Sequence, residues 1–487
     1  MISDREFWSE FNRKEAANWQ SALSRLLQFD TVSGDPDPEA VKAWRRKIAA
    51  GFDYLQRLAQ GMGLAARRYE DRVLVIEQAA PSNAPVLGFP IHLDVVPAGE
   101  GWSRNPFGGD IAEGCIWGRG AQDDKGPIIE ALYGLLGAAE FARANHLQFN
   151  KTIRLIIVSE EELGVWDDIP YYFEREGPPD FSIVPDATFP ITVGEKGFVN
   201  LNVDFEWAPP IPDEFSVRAG ERPNVVPAKA TLMAAPALLE KMNEAELGAN
   251  LARAPKPPRV ERNGRIEAEF YGVGAHGSLP HKGYNAARDA LAKAVELPAL
   301  RGNPAGRVLA WLAQAAGDLE GHFLGIAHRH EKVGKTTVNL GVLLADRASA
   351  HAVLNIRNPI GLPCAEVERR VREAVDKLGD ETSGISKREV KPDLTSREPI
   401  YVDPARFPDW IGPMQAAYTA VTGRPTELMT IGGTTFAKAF PNAVCFGPVD
   451  ENEEEELAHQ ADERVTLEAM RRNVEIYGRA ILGIAAT

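Results

Sequence analysis

The sequence predicts an α/β domain interrupted by an α+β insert of about two hundred residues. The chain has 487 residues, which is too long for one compact core. Its first and last parts alternate helices with strands that are apolar throughout, whereas strands in the middle part alternate apolar with polar residues. We therefore predict a mainly parallel sheet flanked by helices, formed by residues 1–197 and 393–487, and an inserted α+β domain at residues 198–392.

The elements of the first part follow from the spacing of apolar residues. Phe7, Phe11 and Trp19 recur at helical spacing and predict an N-terminal helix. The strands that follow are apolar along their whole length, which is typical of parallel strands covered on both faces. After the N-terminal helix, the predicted elements are a helix at 39–63, strands at 73–76 and 86–91, a helix at 127–141, and strands at 152–158 and 181–184.

The insert and the last part of the chain differ from each other in how apolar and polar residues are arranged along their strands. Alternation of apolar and polar residues in the insert predicts antiparallel strands with one solvated face. These strands are predicted at 199–207, 266–271, 337–342 and 350–357, with helices at 283–298 and 304–319. The last hundred residues return to α/β character, with a helix at 406–421, a Gly432-Gly433-Thr434-Thr435 turn that opens a helix, a strand at 443–446 and a helix at 463–484.

Composition excludes several classes of partner. The net charge is −15, from 54 basic and 69 acidic residues, which argues against nucleic acid or an anionic membrane as the main partner. The three cysteines, Cys115, Cys364 and Cys445, form neither a disulfide framework nor a CxxC zinc pattern. The N-terminus lacks the apolar core of a signal peptide, and no apolar run is long enough to span a bilayer. We therefore expect a cytoplasmic protein.

Side chains that bind metals follow three of the predicted strands. His92 follows the strand at 86–91, Glu161 and Glu162 follow the strand at 152–158, and Asp186 follows the strand at 181–184. Because the carboxyl ends of parallel strands meet at one edge of a sheet, and ligands bind at that edge, we expect these side chains to converge. Asp123 and Asp124 lie in a glycine-flanked loop ahead of a helix, where one of the two carboxylates can bridge two cations, and His459 offers a second imidazole.

This donor set of two histidines and three carboxylates suits zinc or manganese better than calcium. Asp94 lies two residues after His92 in an extended strand and can accept a hydrogen bond from its imidazole. Each residue alone has a simpler interpretation. His92 can be a buried histidine satisfied by a neighbouring acid, Asp123 can cap a helix, and the acidic run at 160–162 can be an exposed turn.

A second group of residues can bind the anionic parts of a substrate. His276 stands between glycines, which let the backbone approach a ligand, and its ring can donate to an oxyanion. Asn224 and Arg357 can bind a carboxylate, and Arg357 offers a bidentate fork. Gly432 and Gly433, at a predicted helix start, offer backbone donors to an anion. The alternatives are ordinary surface for Asn224 and Arg357 and a tight strand-to-helix turn for the glycines.

Taken together, the motifs resemble a known family over nearly the whole chain. They are HxDxVP at 92–97, GRGxxDDKG at 118–126 and EExG at 161–164. The sequence resembles the co-catalytic metallopeptidases that include aminoacylases, carnosinases and desuccinylases, and is most similar to PepV-type bacterial dipeptidases. That further likeness rests on PDATFP at 185–190, GEKG at 194–197 and Asn355-Ile-Arg357. The resemblance implies a zinc-exopeptidase-like fold in which the α/β domain is catalytic and the insert is a lid.

The resemblance also implies a role for each candidate residue. His92 and Asp186 would hold one divalent ion, Glu162 and His459 the other, and Asp123 would bridge both. Asp94 would orient His92, and Glu161 would be the general base and acid. His276 would stabilise the oxyanion, whereas Asn224, Arg357, Gly432 and Gly433 would bind substrate. The peptide after Asp123 would be cis. Zinc is the expected metal, and manganese and cobalt also fit the ligands.

The expected activity is hydrolysis of dipeptides with a free amino terminus by a water that two metal ions activate. The alternative within the family is an N-acyl amino-acid amidohydrolase, and a non-catalytic peptide binder is a second alternative. Relatives with a small lid dimerise through it, and the partner's lid supplies the oxyanion histidine. Relatives with a large lid supply this histidine themselves. Because the insert here is large, we expect a monomer whose partner is a small-molecule dipeptide, not a nucleic acid or a membrane.

Overall fold

The structure is a computed structural model that describes residues 3–33, 38–239, 254–262, 265–379, 383–393 and 395–487. The chain divides into two compact units. The first unit comprises Met1–Val193, Val402–Met429 and Thr435–Thr487, and the second comprises Gly194–Tyr401 and Thr430–Thr434. The units change at 193/194 and 401/402, whereas the sequence predicts boundaries at 197/198 and 392/393. The Thr430–Thr434 segment, which contains Gly432 and Gly433, belongs to the second unit.

The secondary structure of the described residues is numbered in chain order. The α-helices are α1 Asp4–Leu27, α2 Pro38–Gly61, α3 Lys125–Ala144, α4 Asp168–Glu176, α5 Pro236–Leu239, α6 Ala286–Glu296, α7 Pro304–Gly317, α8 Cys364–Asp376, α9 Pro408–Thr422 and α10 Leu467–Ala485. The strands are β1 Ala65–Tyr69, β2 Val73–Gln78, β3 Val86–His92, β4 Asp110–Ala112, β5 Cys115–Trp117, β6 Thr152–Val158, β7 Phe181–Val184, β8 Ala187–Thr188, β9 Ile191–Glu195, β10 Val199–Trp207, β11 Phe215–Ala219, β12 Lys229–Ala234, β13 Arg259–Arg262, β14 Ile266–Tyr271, β15 Arg329–His330, β16 Gly334–Lys335, β17 Thr337–Ala345, β18 Ser349–Arg357, β19 Ile385–Pro392, β20 Ile400–Tyr401, β21 Leu428–Ile431, β22 Ala443–Cys445, β23 Pro448–Val449 and β24 Arg464–Thr466.

The sheet of the first unit has a parallel centre. Its strands lie in the order β1-β2-β6-β3-β7-β22-β9. The pairs β6–β3, β3–β7 and β7–β22 are parallel, whereas the pairs toward both edges are antiparallel. The side chains of β3, β6 and β7 are almost all buried, as expected for strands covered on both faces. The predicted α/β class with a separate α+β insert is confirmed.

Helices α3 and α10 pack against each other beside this sheet. Helix α3 is apolar on nearly every side and buried, because it lies between the sheet and other helices. The helices approach closely at Gly134 and Gly478, where a Cβ on Gly134 would lie 3.0 Å from the Gly478 nitrogen. Trp8 of α1 is fully buried against the same place. The same helix α3 begins at Lys125, directly after the loop that carries Asp123.

The second unit is built on an antiparallel sheet. Its strands lie in the order β13-β14-β12-β11-β17-β18-β10-β19. One face of the sheet is buried against α6 and α7 in an apolar core that includes Phe205 and Trp311. The later residues of β10 alternate between buried and more exposed side chains, as the sequence pattern predicts.

One predicted helix start is wrong, and one predicted helix is of a different type. The last helix begins at Leu467 instead of residue 463, because residues 464–466 form β24 and pair with β5. Thr466 then caps the helix by accepting from the Ala469 N–H. The turn at 432–435 leads into a 3₁₀-helix at Phe436–Ala439 and not into an α-helix. Pro441 favours an extended conformation for Phe440, which ends the turn there.

Among the helices of the described residues, none combines the length and the apolar character that crossing a membrane requires.

Candidate metal centre

The parallel strands of the first unit carry the predicted ligands to one edge. His92 is the last residue of β3, Glu161 and Glu162 follow the end of β6, and Asp186 follows the end of β7. Since β3 pairs in parallel with both β6 and β7, these ends point the same way. The sheet edge therefore gathers side chains that lie far apart in the sequence.

One carboxylate lies between two imidazoles at this edge. His92 Nε2 is 2.9 Å from Asp123 Oδ1, and His459 Nε2 is 3.0 Å from Asp123 Oδ2. The second imidazole also lies 3.1 Å from Glu162 Oε1. Donor atoms of His92, Asp123 and Glu162 all lie within 4.8 Å of one another. This is the arrangement expected of a carboxylate that bridges two cations.

The donors fit divalent transition metals. Two ligands bound to one tetrahedral zinc ion at 2.0–2.1 Å lie about 3.3 Å apart, which is close to the spacings of these nitrogen and oxygen atoms. The set mixes imidazole nitrogen with carboxylate oxygen, which suits zinc, manganese or cobalt. Asp186 lies near enough for its charge to raise the pKa values of Asp124 and Glu161. Asp186 is thus close to the centre, although it lies outside the group of His92, Asp123 and Glu162, whose donor atoms are within 4.8 Å of one another.

Asp94 supports the site differently from the prediction. His92 Nδ1 lies 2.9 Å from the main-chain oxygen of Asp94, whereas the Asp94 carboxylate is 3.6 Å away. The Nδ1–H therefore donates to the backbone, which leaves Nε2 as the ring nitrogen that faces Asp123 and that could bind a metal after losing its proton. The carboxylate itself accepts from the main-chain N–H groups of Glu161, at 3.3 Å, and Glu162, at 2.9 Å. Asp94 thus holds the acidic loop as well as the imidazole.

The three consecutive acids at 160–162 turn in different directions. Glu160 is buried and forms ion pairs with Arg45 and Arg72. Glu161 and Glu162 remain at the edge of the metal centre. Burial, followed by the charges of Asp186 and Glu162, raises the pKa of Glu161 well above its usual value, although His92 opposes the shift. The pairing of Glu160 with two arginines explains how adjacent carboxylates are tolerated.

The convergence also shifts the pKa values of the imidazoles. Burial opposes the charged form of His92, but Asp123 and Asp94 outweigh it and raise the pKa of His92 well above its usual value. Hydrogen bonds with Asp123 and Glu162 raise the pKa of His459 to about 11. Burial opposes ionisation of Asp123, but His459 and His92 hold its pKa below the usual range. In the metal-free protein, both imidazoles therefore retain protons that a cation would displace.

Zinc binding to the metal-free protein is expected to release about two protons near pH 7. The sign follows from the raised pKa values: both imidazoles are protonated at neutral pH, and only the neutral ring binds metal. Zinc affinity should therefore rise as the pH rises through the neutral range, because this range lies below the pKa of about 11 of His459. Titration calorimetry in buffers of different ionisation enthalpy measures the number of protons released. His351→Asn, in the second unit, should leave this number unchanged. Release of less than one proton would contradict the assignment of His92 and His459 as metal ligands.

The second unit brings the predicted substrate-binding residues together. The Gly277 N–H donates to the Asn224 main-chain oxygen at 2.6 Å, which places Asn224 beside His276. A Cβ on Gly432 would lie 3.1 Å from Ser278 Cβ. Arg357 Nη1 donates to Thr434 Oγ1 at 3.3 Å, one residue after Gly433. Asn224, His276, Arg357, Gly432 and Gly433 thus belong to one region of this unit.

Charges in this region favour an anionic ligand. Arg357 is 4% exposed, and its guanidinium lies 4.4 Å from the Phe198 ring centroid. Burial lowers the pKa of Arg357 to about 10, although Glu195 opposes the shift, and it lowers the pKa of Lys196 to about 8 with help from Lys335 and Arg357. Cations whose charge is disfavoured by burial gain most from a bound carboxylate.

His276 is held in a neutral form that can donate. Its Nδ1 accepts from the Ser278 main-chain N–H at 3.2 Å and lies 2.6 Å from Ser278 Oγ. Since Nδ1 is the acceptor, the proton of the neutral ring is on Nε2. Partial desolvation and the Arg357 charge lower the pKa of His276 and favour this neutral state, although part of the residue is exposed.

Several contacts that support the site were not predicted from the sequence. Asp124 is fully buried and accepts from the His92 main-chain N–H at 3.2 Å, and the Asp123–Asp124 peptide is cis, as the resemblance implies. Asp168 accepts from the N–H groups of Ser159 and Glu160 at 2.7 and 3.0 Å. Glu463 contacts the Asp123 loop. Asp168 and Glu463 lie in polar stretches without a motif, and their only signal was a position near a strand end or a ligand.

Two imidazoles around one carboxylate at the edge of a parallel sheet are the donors that a metal-dependent hydrolase needs. A family model described as "Peptidase family M20/M25/M40" matches residues 88–483. The chain belongs to this peptidase family and is a metallopeptidase.

Relatives and solved structures are similar to this chain over nearly its full length. The Bacillus subtilis (strain 168) protein named "Putative dipeptidase YtjP" is 28% identical over 472 residues, which cover 94% of this chain and 96% of that protein. Human carnosine dipeptidase 1 is similar with a TM-score of 0.59 and 15% identity, covering 99% of both chains. The di-peptidase Dug1p from Saccharomyces cerevisiae has a TM-score of 0.58 at 13% identity, covering 99% of this chain and 98% of that chain. At these identities the two structures support the fold alone.

Proposed function

We propose that this metallopeptidase is a dipeptidase that hydrolyses the peptide bond of dipeptides with a free amino terminus. The observation that carries the proposal is the Asp123 carboxylate held between the imidazoles of His92 and His459, with Glu161 on the neighbouring loop. The full-length relative named as a dipeptidase supports the choice of substrate.

His92 and Asp186 would hold one divalent ion, Glu162 and His459 the other, and Asp123 would lie between them. Zinc is the proposed metal, with manganese or cobalt as alternatives that suit the same donors. When bound, the ions lower the pKa of a water and polarise the scissile carbonyl.

Glu161 is the proposed proton carrier. Its carboxylate would take a proton from the attacking water and deliver it to the leaving amine. Burial raises the pKa of Glu161 above its usual value, and a raised pKa makes a carboxylate a stronger base toward water. Asp94 holds the Glu161 and Glu162 amides, which fixes where both side chains begin.

Roles toward the substrate are proposed for His276, Asn224, Arg357, Gly432 and Gly433. The Nε2–H of neutral His276 is a suitable donor for an oxyanion. Arg357 would bind the carboxylate of the dipeptide, assisted by Asn224 and by the Gly432-Gly433 backbone. The buried guanidinium supports this, because burying a cation is costly and a bound carboxylate would offset that cost.

A panel of matched substrates tests the proposal. Zinc-loaded protein is assayed with dipeptides that contain alanine and with the N-acetyl form of each. We expect the free dipeptides to be cleaved with a kcat/KM about 100-fold higher, since a site that binds a free amine leaves polar groups unpaired when the amine is acylated. Higher activity on the N-acetyl forms would instead indicate an amidohydrolase. Binding of dipeptides without turnover would indicate a non-catalytic binder.

The monomeric state and the cytoplasmic location stay predictions. Sedimentation of the purified chain tests the first of them. A stable dimer would mean that a large insert does not prevent association.

A further inference from the structure

We propose that Arg119, Gln122 and Glu463 form a positioning device, here called the ligand-loop clamp. The clamp holds the loop that carries Asp123 against the loop that carries His459, and it thereby sets the affinity of the centre for divalent metal. The inference rests on the proposed role of Asp123 and His459 as metal ligands. None of the three clamp residues is itself a proposed ligand, so they act through the residues that are.

Glu463 is the centre of the clamp. Its side chain is fully buried, and its Oε1 accepts from three main-chain N–H groups, those of Gly120 at 3.1 Å, Gln122 at 2.9 Å and Asp123 at 3.2 Å. Its Oε2 accepts from Arg119 Nη1 at 2.6 Å. One carboxylate thus satisfies four donors of a single turn, including the amide of the proposed bridging ligand. A buried carboxylate is retained at such a place only when its partners are complete.

Gln122 connects the same two loops from the other side: its side chain, on the Asp123 loop, bonds to the main chain of the His459 loop. Its Nε2 donates to the Glu455 main-chain oxygen at 3.1 Å, and its Oε1 accepts from the Leu457 N–H at 2.7 Å. The Glu463 main-chain oxygen also accepts from the Gly118 N–H at 2.9 Å, and the strand pair β5–β24 continues from there. The His459 segment is therefore bound to the Asp123 loop on both sides of the histidine.

The His459 loop needs this support because its backbone is irregular. His459 has a φ of 62°, in the left-handed region that a non-glycine residue adopts only when its surroundings hold it there. The proposed ligand lies between Leu457, held by Gln122, and Glu463, held by Arg119. Loss of either contact would let the imidazole move relative to the Asp123 carboxylate. Partners behind the ligands of metal sites contribute about 10- to 100-fold to metal affinity in this way.

The first test is Glu463→Gln in the full-length chain, with zinc as the probe. The substitution keeps the size of the side chain and one acceptor oxygen, but it presents an amide to Arg119. We expect titration calorimetry of the metal-free variant to show zinc affinity lowered by about 10-fold or more. We also expect kcat to fall by a similar factor while KM stays within about 2-fold, because the proposed substrate contacts lie in the second unit.

Glu77→Gln is the matched control. Glu77 on β2 forms a largely buried ion pair with Arg154 at 2.8 Å, away from the ligand loops. This variant should lower the Tm and leave zinc affinity unchanged, which separates positioning from the general loss of a buried ion pair. A Glu463→Gln variant with the Tm loss of the control and the zinc affinity of the parent would overturn the proposal.

A second variant keeps the test decisive if Glu463→Gln does not fold. Gln122→Met removes both side-chain hydrogen bonds to the His459 loop and leaves Glu463 in place. We expect it to weaken zinc binding by about 10-fold, and parental affinity in this variant would count against the clamp. Failure of the proposed function is separate: a parent that binds zinc but cleaves no dipeptide refutes the dipeptidase and leaves the affinity comparison intact. A parent that binds no zinc refutes the clamp as well.

Discussion

Glutamine in place of Glu161 is expected to lower kcat by about 10²- to 10⁴-fold while the protein keeps its metal. Glutamine has nearly the shape of glutamate but cannot accept a proton from water or return one to an amine. The Glu161 main chain would stay in place, because its N–H is held by Asp94 and its oxygen by Gly164 and Trp166. The substitution therefore removes the proton transfer and little else.

The measurement pairs steady-state kinetics with metal analysis of the same sample. Glu160→Gln is the matched control, because Glu160 is the preceding residue in the same acidic run but is paired with Arg45 and Arg72. It should lower the Tm and retain turnover within about 10-fold, since losing a buried ion pair affects stability more than chemistry. If Glu161→Gln turned over dipeptides at the parental rate, Glu161 would not be the proton carrier.

The convergence of the ligands could be predicted because it follows from two local properties. Apolar runs such as Thr152–Val158 predict buried parallel strands, and parallel strands end at a common edge. His92, Glu162 and Asp186 each follow such a run by a few residues. The direction of the strands was enough to infer that these side chains meet, because parallel strands connected in the usual right-handed way end at the same edge of the sheet.

The supporting contacts could not be predicted, because they depend on distant partners. Glu463 and Arg119 are 344 residues apart in the sequence. Glu463 also lies in the polar stretch Ala461-Asp-Glu-Arg464, which alone resembles the exposed start of a helix. Only the pairing of β24 with β5 turns its side chain inward. The same pairing moved the start of α10 to Leu467, so one tertiary contact accounts for both errors.

Asp94 illustrates a limit of arguments from spacing. The spacing argument assumes that one extended strand includes both residues, but β3 ends at His92, although His92 and Asp94 do contact each other. The contact uses the Asp94 main chain, because the acidic loop after β6 supplies amide donors that compete for the carboxylate. The sequence identifies the pair but does not show which atoms meet.

Asparagine in place of Asp123 is expected to reduce zinc binding from two ions to at most one. The Asp123 carboxylate faces an imidazole with each oxygen, at 2.9 Å from His92 and 3.0 Å from His459. An amide has one acceptor oxygen and no charge, so it can serve only one of the two sides. Turnover should fall by more than about 10²-fold. Loss of a residue that supports a metal ligand costs up to about 10²-fold, and loss of the ligand itself should cost more.

Two measurements separate this result from misfolding. Titration calorimetry counts the zinc ions, and NMR titration of the metal-free protein follows the His459 ring. In the parent, Asp123 is the first cause of the raised pKa of about 11, so the pKa of His459 should move toward about 6.5 in the variant. Asp124→Asn is the control, because the amide oxygen that it introduces can still accept from the His92 N–H and two zinc ions should bind. Two zinc ions in Asp123→Asn, with an unchanged His459 pKa, would show that Asp123 does not bridge the centre.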